Sequence, residues 1–277
     1  MADHLDQELL SAAAHGSLDE VTTLLREGAD PDARDDRGRT PLILAAGKPG
    51  RLAIVQAILD AGADVDAKDG SRRTAVMEAV LGRDVDILRL LLTRLPDLSV
   101  HGVLGETALI VATSSARRAV PLSLAAGADP NDPDTVGKSP LMWAVDPQFH
   151  RGSGSPEMVN QLADAGARVN SKDAEGRTAL MWAVTDDAIA MHGPVLTALL
   201  ARGAAIDLRD NRGQTPLMQL VTAAADENFF LSRRLVEILI VAGADVNAVD
   251  RDGRSVLARA SGVDKLVERL RAAGATA

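Results

Sequence analysis

The chain has 277 residues, 46% of them hydrophobic, which is long and apolar enough to bury a large core. Its 39 acidic residues outnumber its 30 basic ones, and the net charge of −9 disfavours broad binding to a nucleic-acid backbone, which requires clustered cations. Because the sequence contains no cysteine, it cannot form disulfides, thiolate metal sites or iron–sulfur clusters.

The amino-terminal segment carries acidic residues where a secretory signal would have a basic region followed by an apolar one. No uncharged stretch approaches the roughly 18–20 apolar residues that are needed to span a bilayer. We therefore expect a cytoplasmic protein that does not associate with membranes.

The first predicted elements are two helices within residues 6–27, which no turn motif precedes. A Ser or Thr followed by an apolar run then recurs at intervals of roughly 32 to 40 residues. The hydroxyl of each is suited to cap the first amide groups of a helix, and a proline next to it loses only an N–H that the first turn leaves unpaired. We call these residues the cap residues: Thr40, Thr74, Thr107, Ser139, Thr178, Thr215 and Ser255.

A glycine motif recurs with the same period. Gly-Ala, often followed by Asp, ends a second apolar segment, and glycine suits the left-handed backbone conformation that terminates many helices. These glycines are Gly28, Gly62, Gly127, Gly166, Gly203, Gly243 and Gly274. An Asp- and Gly-rich stretch such as 64–70 then leads to the next copy and predicts a tight turn. Each repeat is thus a turn, a first helix and a second helix, and we call the six residues before each cap residue a finger.

Residues 28–46 and 166–184 closely resemble the ankyrin repeat in their turn, their Thr-Pro-Leu or Thr-Ala-Leu cap and their helix start. This resemblance extends over essentially the whole chain. It implies an all-α repeat solenoid of about eight ankyrin-type helix-turn-helix repeats, with projecting β-turn fingers and first helices lining a concave side. Residues 1–27 are then amino-terminal capping helices, 28–254 are central repeats, and 255–277 are a carboxy-terminal capping repeat.

One repeat departs from the pattern. Residues 95–101 read Leu-Pro-Asp-Leu-Ser-Val-His where the glycine motif is expected, and the repeat that follows is short and contains Pro121. We therefore predict a local change of curvature or stability over residues 95–125.

Three consecutive repeats carry extra residues between the cap residue and the glycine. The sequence thus predicts inserted segments between the first and second helices, near 146–157, 186–194 and 223–233. Insertions at equivalent places in a solenoid lie side by side and commonly form a binding face. The alternative is neutral variation in loop length, which costs little free energy.

All the aromatic residues of the chain, two Trp and three Phe, lie in this same part of the sequence. Trp143 and Trp182 are each the fourth residue after a cap residue, a position that the resemblance places towards the concave side. Aromatic residues often dominate the energy of an interface, so we predict a partner-binding surface here. Its candidate residues are Trp143, Trp182, Phe149, His150, Met191, Phe229 and Phe230. The alternative is that each Trp only packs between neighbouring first helices.

The fingers contain more basic than acidic residues, although the chain as a whole is acidic. Arg177, Arg212 and Arg254 are therefore candidates for steering a partner that bears carboxylates. The alternative is that these charges are solvated and paired with nearby Asp residues, because such surface pairs are common and weak.

The sequence offers no pattern for catalysis. Its five histidines do not have zinc-ligand spacing, and no nucleophile-elbow motif is present. Gly137-Lys138-Ser139 resembles the end of a phosphate-binding loop, but its serine is already explained as a helix cap. We therefore predict a chain that is not an enzyme and that has no metal or cofactor.

The resulting prediction is a module that binds an unidentified protein partner through its concave face and inserted loops. It would act either as an adaptor or scaffold, or as an inhibitor or immunity-type protein. Two other functions remain open: binding of a small ligand or nucleotide by stacking on Trp143 and Trp182, and a purely structural spacer. We expect a monomer that binds no nucleic acid.

Overall fold

The computed structural model describes residues 2–146, 148, 155–185, 193–224 and 229–276. Side chains are described within these ranges from residue 4 onwards, except at 224 and 229–232. The chain divides into two compact units, Met1–Thr135 and Val136–Ala277. None of the helices in the described ranges is long and apolar enough to cross a membrane.

The first unit is built of helical hairpins. Its elements are α1 (Ala2–His15), α2 (Leu18–Glu27), α3 (Pro41–Ala46), α4 (Leu52–Asp60), α5 (Ala75–Leu81), α6 (Val85–Leu92), α7 (Ala108–Ser115), a 3₁₀ turn (Arg117–Ala119) and α8 (Val120–Ala125). The first helices α3, α5 and α7 pack in succession, and the second helices α2, α4 and α6 form a parallel row behind them.

The second unit repeats this arrangement. Its elements are α9 (Pro140–Val145), α10 (Pro156–Asp164), α11 (Ala179–Trp182), α12 (Gly193–Ala201), α13 (Pro216–Ala224), α14 (Phe229–Val241), α15 (Val256–Arg259) and α16 (Asp264–Ala272). The first helices α9, α11, α13 and α15 contact one another in order, and α10, α12 and α14 do the same. The predicted repeat of turn, first helix and second helix is confirmed.

The cap residues begin the first helices as the sequence predicts. The hydroxyl oxygen of Thr40 accepts a hydrogen bond from the backbone N–H of Ile43 at 3.3 Å, and the other cap residues bond in the same way to the residue three positions on. All of the cap residues except Ser255 are also buried, so these six satisfy backbone groups at sites that water reaches poorly.

Successive fingers within each unit are joined by one backbone hydrogen bond. The N–H of the residue four positions before a cap residue donates to the carbonyl of the residue three positions before the preceding cap. In the first unit Gly70 donates to Arg37 at 2.8 Å, and in the second unit Arg251 donates to Arg212 at 3.1 Å. We call this series of bonds the finger ladder.

The predicted inserted segments differ in their structure. Between α9 and α10 and between α11 and α12, most of the predicted segments lie outside the described residues. The third segment, 223–233, is helical for most of its length, in contrast to the predicted loop, because α13 extends to Ala224 and α14 begins at Phe229. At 13 residues, α14 is also the longest second helix of the unit, so the extra chain length there extends helices.

The irregular region around residue 95 has a local backbone cause. Leu95 follows α6 where glycine follows α2 and α4, and it adopts the same left-handed conformation, with a φ of +55°. The residue is 88% exposed, so little packing offsets the steric cost of about 1 kcal/mol or more. Further along the chain, the 3₁₀ turn takes the place of a regular helix start before α8.

Replacing Leu95 with glycine is expected to raise the free energy of unfolding by about 0.5 kcal/mol. The relief of left-handed strain exceeds the entropy that glycine gains in the unfolded chain. Urea denaturation followed by circular dichroism measures this difference. The control is Leu95→Ala, which keeps a Cβ at the strained position; a glycine variant no more stable than the alanine variant would contradict the explanation.

Candidate functional site

The fingers of the second unit are held by buried aspartates that lie five positions before the cap residues. One carboxylate oxygen of Asp173 accepts hydrogen bonds from the backbone N–H groups of Glu175 at 2.9 Å and Arg177 at 2.8 Å. Asp210 and Asp250 close their fingers in the same way. These backbone bonds, first among them the one from Arg254, together with the Arg259 guanidinium, hold the pKa of Asp250 below its usual range.

The second oxygen of each aspartate binds the side chain four positions after the cap residue. The indole N–H of Trp182 donates to Asp173 at 3.0 Å, and the amide of Gln219 donates to Asp210 at 2.9 Å. Arg259 forms the equivalent ion pair with Asp250. The aspartate therefore fixes the orientation of the side chain that the first helix presents at this position.

The two tryptophans are joined by a cation that the sequence analysis did not assign. The ammonium of Lys138 lies 3.9 Å from the ring centroid of Trp143 and 3.7 Å from that of Trp182. The guanidinium of Arg177 lies 3.9 Å from the Trp182 ring. Cations over indole rings are attracted by the negative face of the ring. We call these four residues the indole cluster.

The Lys138 side chain is only 4% exposed and is paired with the Asp146 carboxylate, which is only 2% exposed. Asp146 ends α9 and also accepts a hydrogen bond from the backbone N–H of Gln148 at 2.9 Å. Burying a lysine ammonium without a paired anion is energetically costly. The ion pair with Asp146 therefore allows the ammonium to lie against the two indole rings.

The structure brings together three of the ten predicted site residues. Trp143 and Trp182 lie on the adjacent helices α9 and α11 and remain partly exposed, and Arg177 joins them in the indole cluster. These tryptophans therefore lie between neighbouring first helices and are also partly exposed to solvent. Three predicted residues, Phe149, His150 and Met191, lie outside the described residues. Phe229 and Phe230 form the start of α14, and their side chains are not among those described.

The finger cations differ in the contacts that they make. Arg34, Lys172 and Arg209 donate to backbone carbonyls of the next finger and so have a structural role. Arg212 and Arg254 are exposed and make no side-chain hydrogen bond or ion pair within the described part of the chain. Arg177 lies between these cases, because it pairs with Asp173 at 3.0 Å and with Glu175 at 3.3 Å.

The sequence analysis missed Lys138, Asp146 and the buried aspartates as parts of the site. A signal for the aspartates was present, since Asp recurs five positions before most cap residues. In the described part of the chain, no group of three or more His, Cys, Asp or Glu residues is placed to hold a metal ion. The described geometry instead presents fixed aromatic and cationic groups.

Family comparisons agree with this architecture. A model described as "Ankyrin repeats (3 copies)" matches overlapping segments 9–102, 49–134, 76–173, 109–191 and 150–226, and a single "Ankyrin repeat" model matches 212–251. The chain therefore belongs to the ankyrin-repeat family, and its fold is an all-α repeat solenoid. Ankyrin repeats generally serve as protein–protein interaction modules.

Among solved structures, the chain is similar to the crystal structure of the ankyrin repeat domain of Bcl-3, described as a unique member of the IkappaB protein family. The TM-score is 0.65 at 30% sequence identity, and the match covers 84% of this chain and 97% of the other. No curated protein sequence matches this chain.

Proposed function

We propose that this chain is a non-catalytic module that binds a protein partner through the first-helix face of its second unit, centred on the indole cluster. The observation that carries the proposal is that two partly exposed tryptophans occupy equivalent positions on adjacent helices and are fixed there by Lys138 and Arg177. Family membership supports the general class, and the indole cluster supports the location.

The orientation of these rings favours binding of a partner. Ordering a flexible side chain at an interface costs about 0.5–1.5 kcal/mol, and a side chain that is already fixed avoids this cost. Trp182 is fixed by a hydrogen bond to Asp173 and by two cations over its ring. Large aromatic side chains in such preorganised positions are typical of interface hot spots.

The same contacts argue against stacking of a small ligand as the main function. A base or aromatic metabolite would need a free ring face, but two cations of the chain itself already lie over the Trp182 ring and one lies over a face of the Trp143 ring. Displacing Lys138 would also leave Asp146 buried without its partner cation. A protein surface, by contrast, can contact the exposed parts of these two residues without moving either Lys138 or Asp146.

The salt dependence of partner association distinguishes the adaptor role from the inhibitor role. The chain has a net charge of −9, so a basic enzyme that it inhibits would associate more slowly as salt is raised. A scaffold partner recognised mainly through the indole rings would show little dependence on salt.

The test is affinity capture from native lysate with the intact chain and with a Trp143→Ala/Trp182→Ala variant. We expect one protein to be captured by the intact chain and lost by the variant. The matched control is Leu44→Ala/Glu78→Ala, which changes the equivalent first-helix positions of the first unit. Circular dichroism verifies that all variants fold, and Trp143→Phe/Trp182→Phe is the milder substitution if the alanine variant does not.

Capture that survives in the tryptophan variant but is lost in the control variant would place the binding surface in the first unit and contradict the proposal. If all variants capture the same protein equally, neither first-helix face is the site. If no protein is captured at all, the structural spacer becomes the better explanation.

A further inference from the structure

A groove of about 590 Å³ lies next to the indole cluster in the second unit. It is formed by the fingers and first helices of the repeats that begin at Thr178 and Thr215. Arg177, which stacks on Trp182, forms one wall, and Arg212 forms part of the other. The lining is mainly polar and includes Gln214, Gln219 and Thr222. The groove therefore suits a polar ligand that reaches it from the indole cluster.

Three arginines lie on the two fingers at this side of the groove: Arg212 lines the groove, and Arg251 and Arg254 belong to the next finger. Arg212, Arg251 and Arg254 are exposed, and none forms a side-chain hydrogen bond or ion pair with any described residue. The finger ladder places them side by side, because the N–H of Arg251 donates to the carbonyl of Arg212. We call them the rim arginines.

The buried aspartates of these two fingers are already engaged. Asp210 is bound to backbone N–H groups and to Gln219, and Asp250 is bound to backbone N–H groups and to Arg259. Two carboxylates are exposed: Asp252, and Glu175 of the groove lining, which pairs with Arg177 at 3.3 Å. A positive rim on a chain of net charge −9 is available to an external carboxylate, and arginine binds carboxylates with a matching pair of donors.

We propose that this groove binds an extended acidic segment of the partner protein. Its carboxylates pair with the rim arginines. This inference rests on the proposed function, since it assumes that the partner which contacts the indole cluster continues into the groove. It adds the chemical character of the segment that is recognised.

Two labelled peptides test the proposal directly, without knowledge of the partner. Each has about twelve residues, which at about 3.3 Å per residue is longer than one repeat-to-repeat contact. One alternates Gly and Glu, and the other alternates Gly and Gln. Fluorescence anisotropy measures their binding to the intact chain.

We expect the Gly-Glu peptide to bind saturably and the Gly-Gln peptide not to bind. Arg212→Gln/Arg251→Gln should weaken binding about tenfold or more. The matched control is Lys265→Gln/Arg271→Gln, which removes the same charge from exposed positions on α16 and should leave the affinity unchanged.

Two results would overturn the proposal. The first is no saturable binding of the Gly-Glu peptide up to about 1 mM. The second is an equal loss of affinity in both double variants, which indicates only diffuse charge attraction.

These results are independent of the capture experiment. If a partner depends on the tryptophans but the peptides fail, the proposed function stands and the acidic-segment site is wrong. If the peptides bind as expected and no partner depends on the tryptophans, the groove is a binding site and the indole cluster is not.

Discussion

Replacing Lys138 with methionine is expected to lower the free energy of unfolding by about 3 kcal/mol or more. The substitution removes the cation paired with Asp146, and the cost of leaving a buried charge without its partner is about 3–5 kcal/mol. It also removes the ammonium from both indole rings. Guanidinium denaturation followed by circular dichroism gives the stability. Tryptophan emission should change as well, because both tryptophans of the chain lie in the indole cluster.

The control for this prediction is the double variant Lys138→Met/Asp146→Asn. Asparagine keeps an oxygen for the N–H of Gln148 but carries no charge, so the double variant should be more stable than Lys138→Met alone. A double variant whose loss equals the sum of the two single losses would show that the pair is not coupled.

Replacing Gly105 with alanine is expected to lower the free energy of unfolding by about 3 kcal/mol. Gly105 has a φ of +78°, and a Cβ there would lie 2.9 Å from the carbonyl carbon of Asp134 and closer still to the backbone nitrogen of Thr135. That nitrogen donates to Leu104 in the finger ladder, so the substitution combines backbone strain with the loss of a ladder contact. Thermal denaturation measures the effect.

Gly253 provides a matched control for the Gly105 substitution. It occupies the same place in its finger, two residues before the cap residue, with a φ of +75°, but no atom lies within 4 Å of a Cβ built there. Gly253→Ala should therefore cost only the conformational part, about 1 kcal/mol. Equal losses for the two substitutions would show that close approach between fingers contributes nothing.

The fold could be predicted from the sequence because each repeat carries its own local signals. A cap residue such as Thr40 and a helix-ending glycine such as Gly62 act within a few residues of their position, so periodic spacing alone defines the helical hairpins. Leu95 shows the limit of these signals, since the backbone conformation is kept there without the glycine that normally marks it.

The candidate site could be predicted from the sequence only in part. The equivalent positions of Trp143 and Trp182 predicted that they lie together, but the role of Lys138 depends on contacts between successive repeats that no local pattern records. The role of each finger cation could not be predicted from the sequence either. Arg209 and Arg212 are three residues apart, yet one donates to the next finger and the other extends outward.

The finger ladder has a consequence for how recognition can change in this chain. Its bonds join main-chain groups only, so they do not depend on which side chains stand at the fingertips. The paired tip positions indeed differ widely in chemistry: Asp36 and Arg37, Gly70 and Ser71, Val103 and Leu104, Ala174 and Glu175, Asn211 and Arg212, and Arg251 and Asp252. Stability and specificity are thereby uncoupled at the tip positions that have room for a side chain, and these can be changed for a new target while the repeat stack stays intact. Gly70 is an exception, because a Cβ there would lie 2.9 Å from the carbonyl oxygen of Arg37.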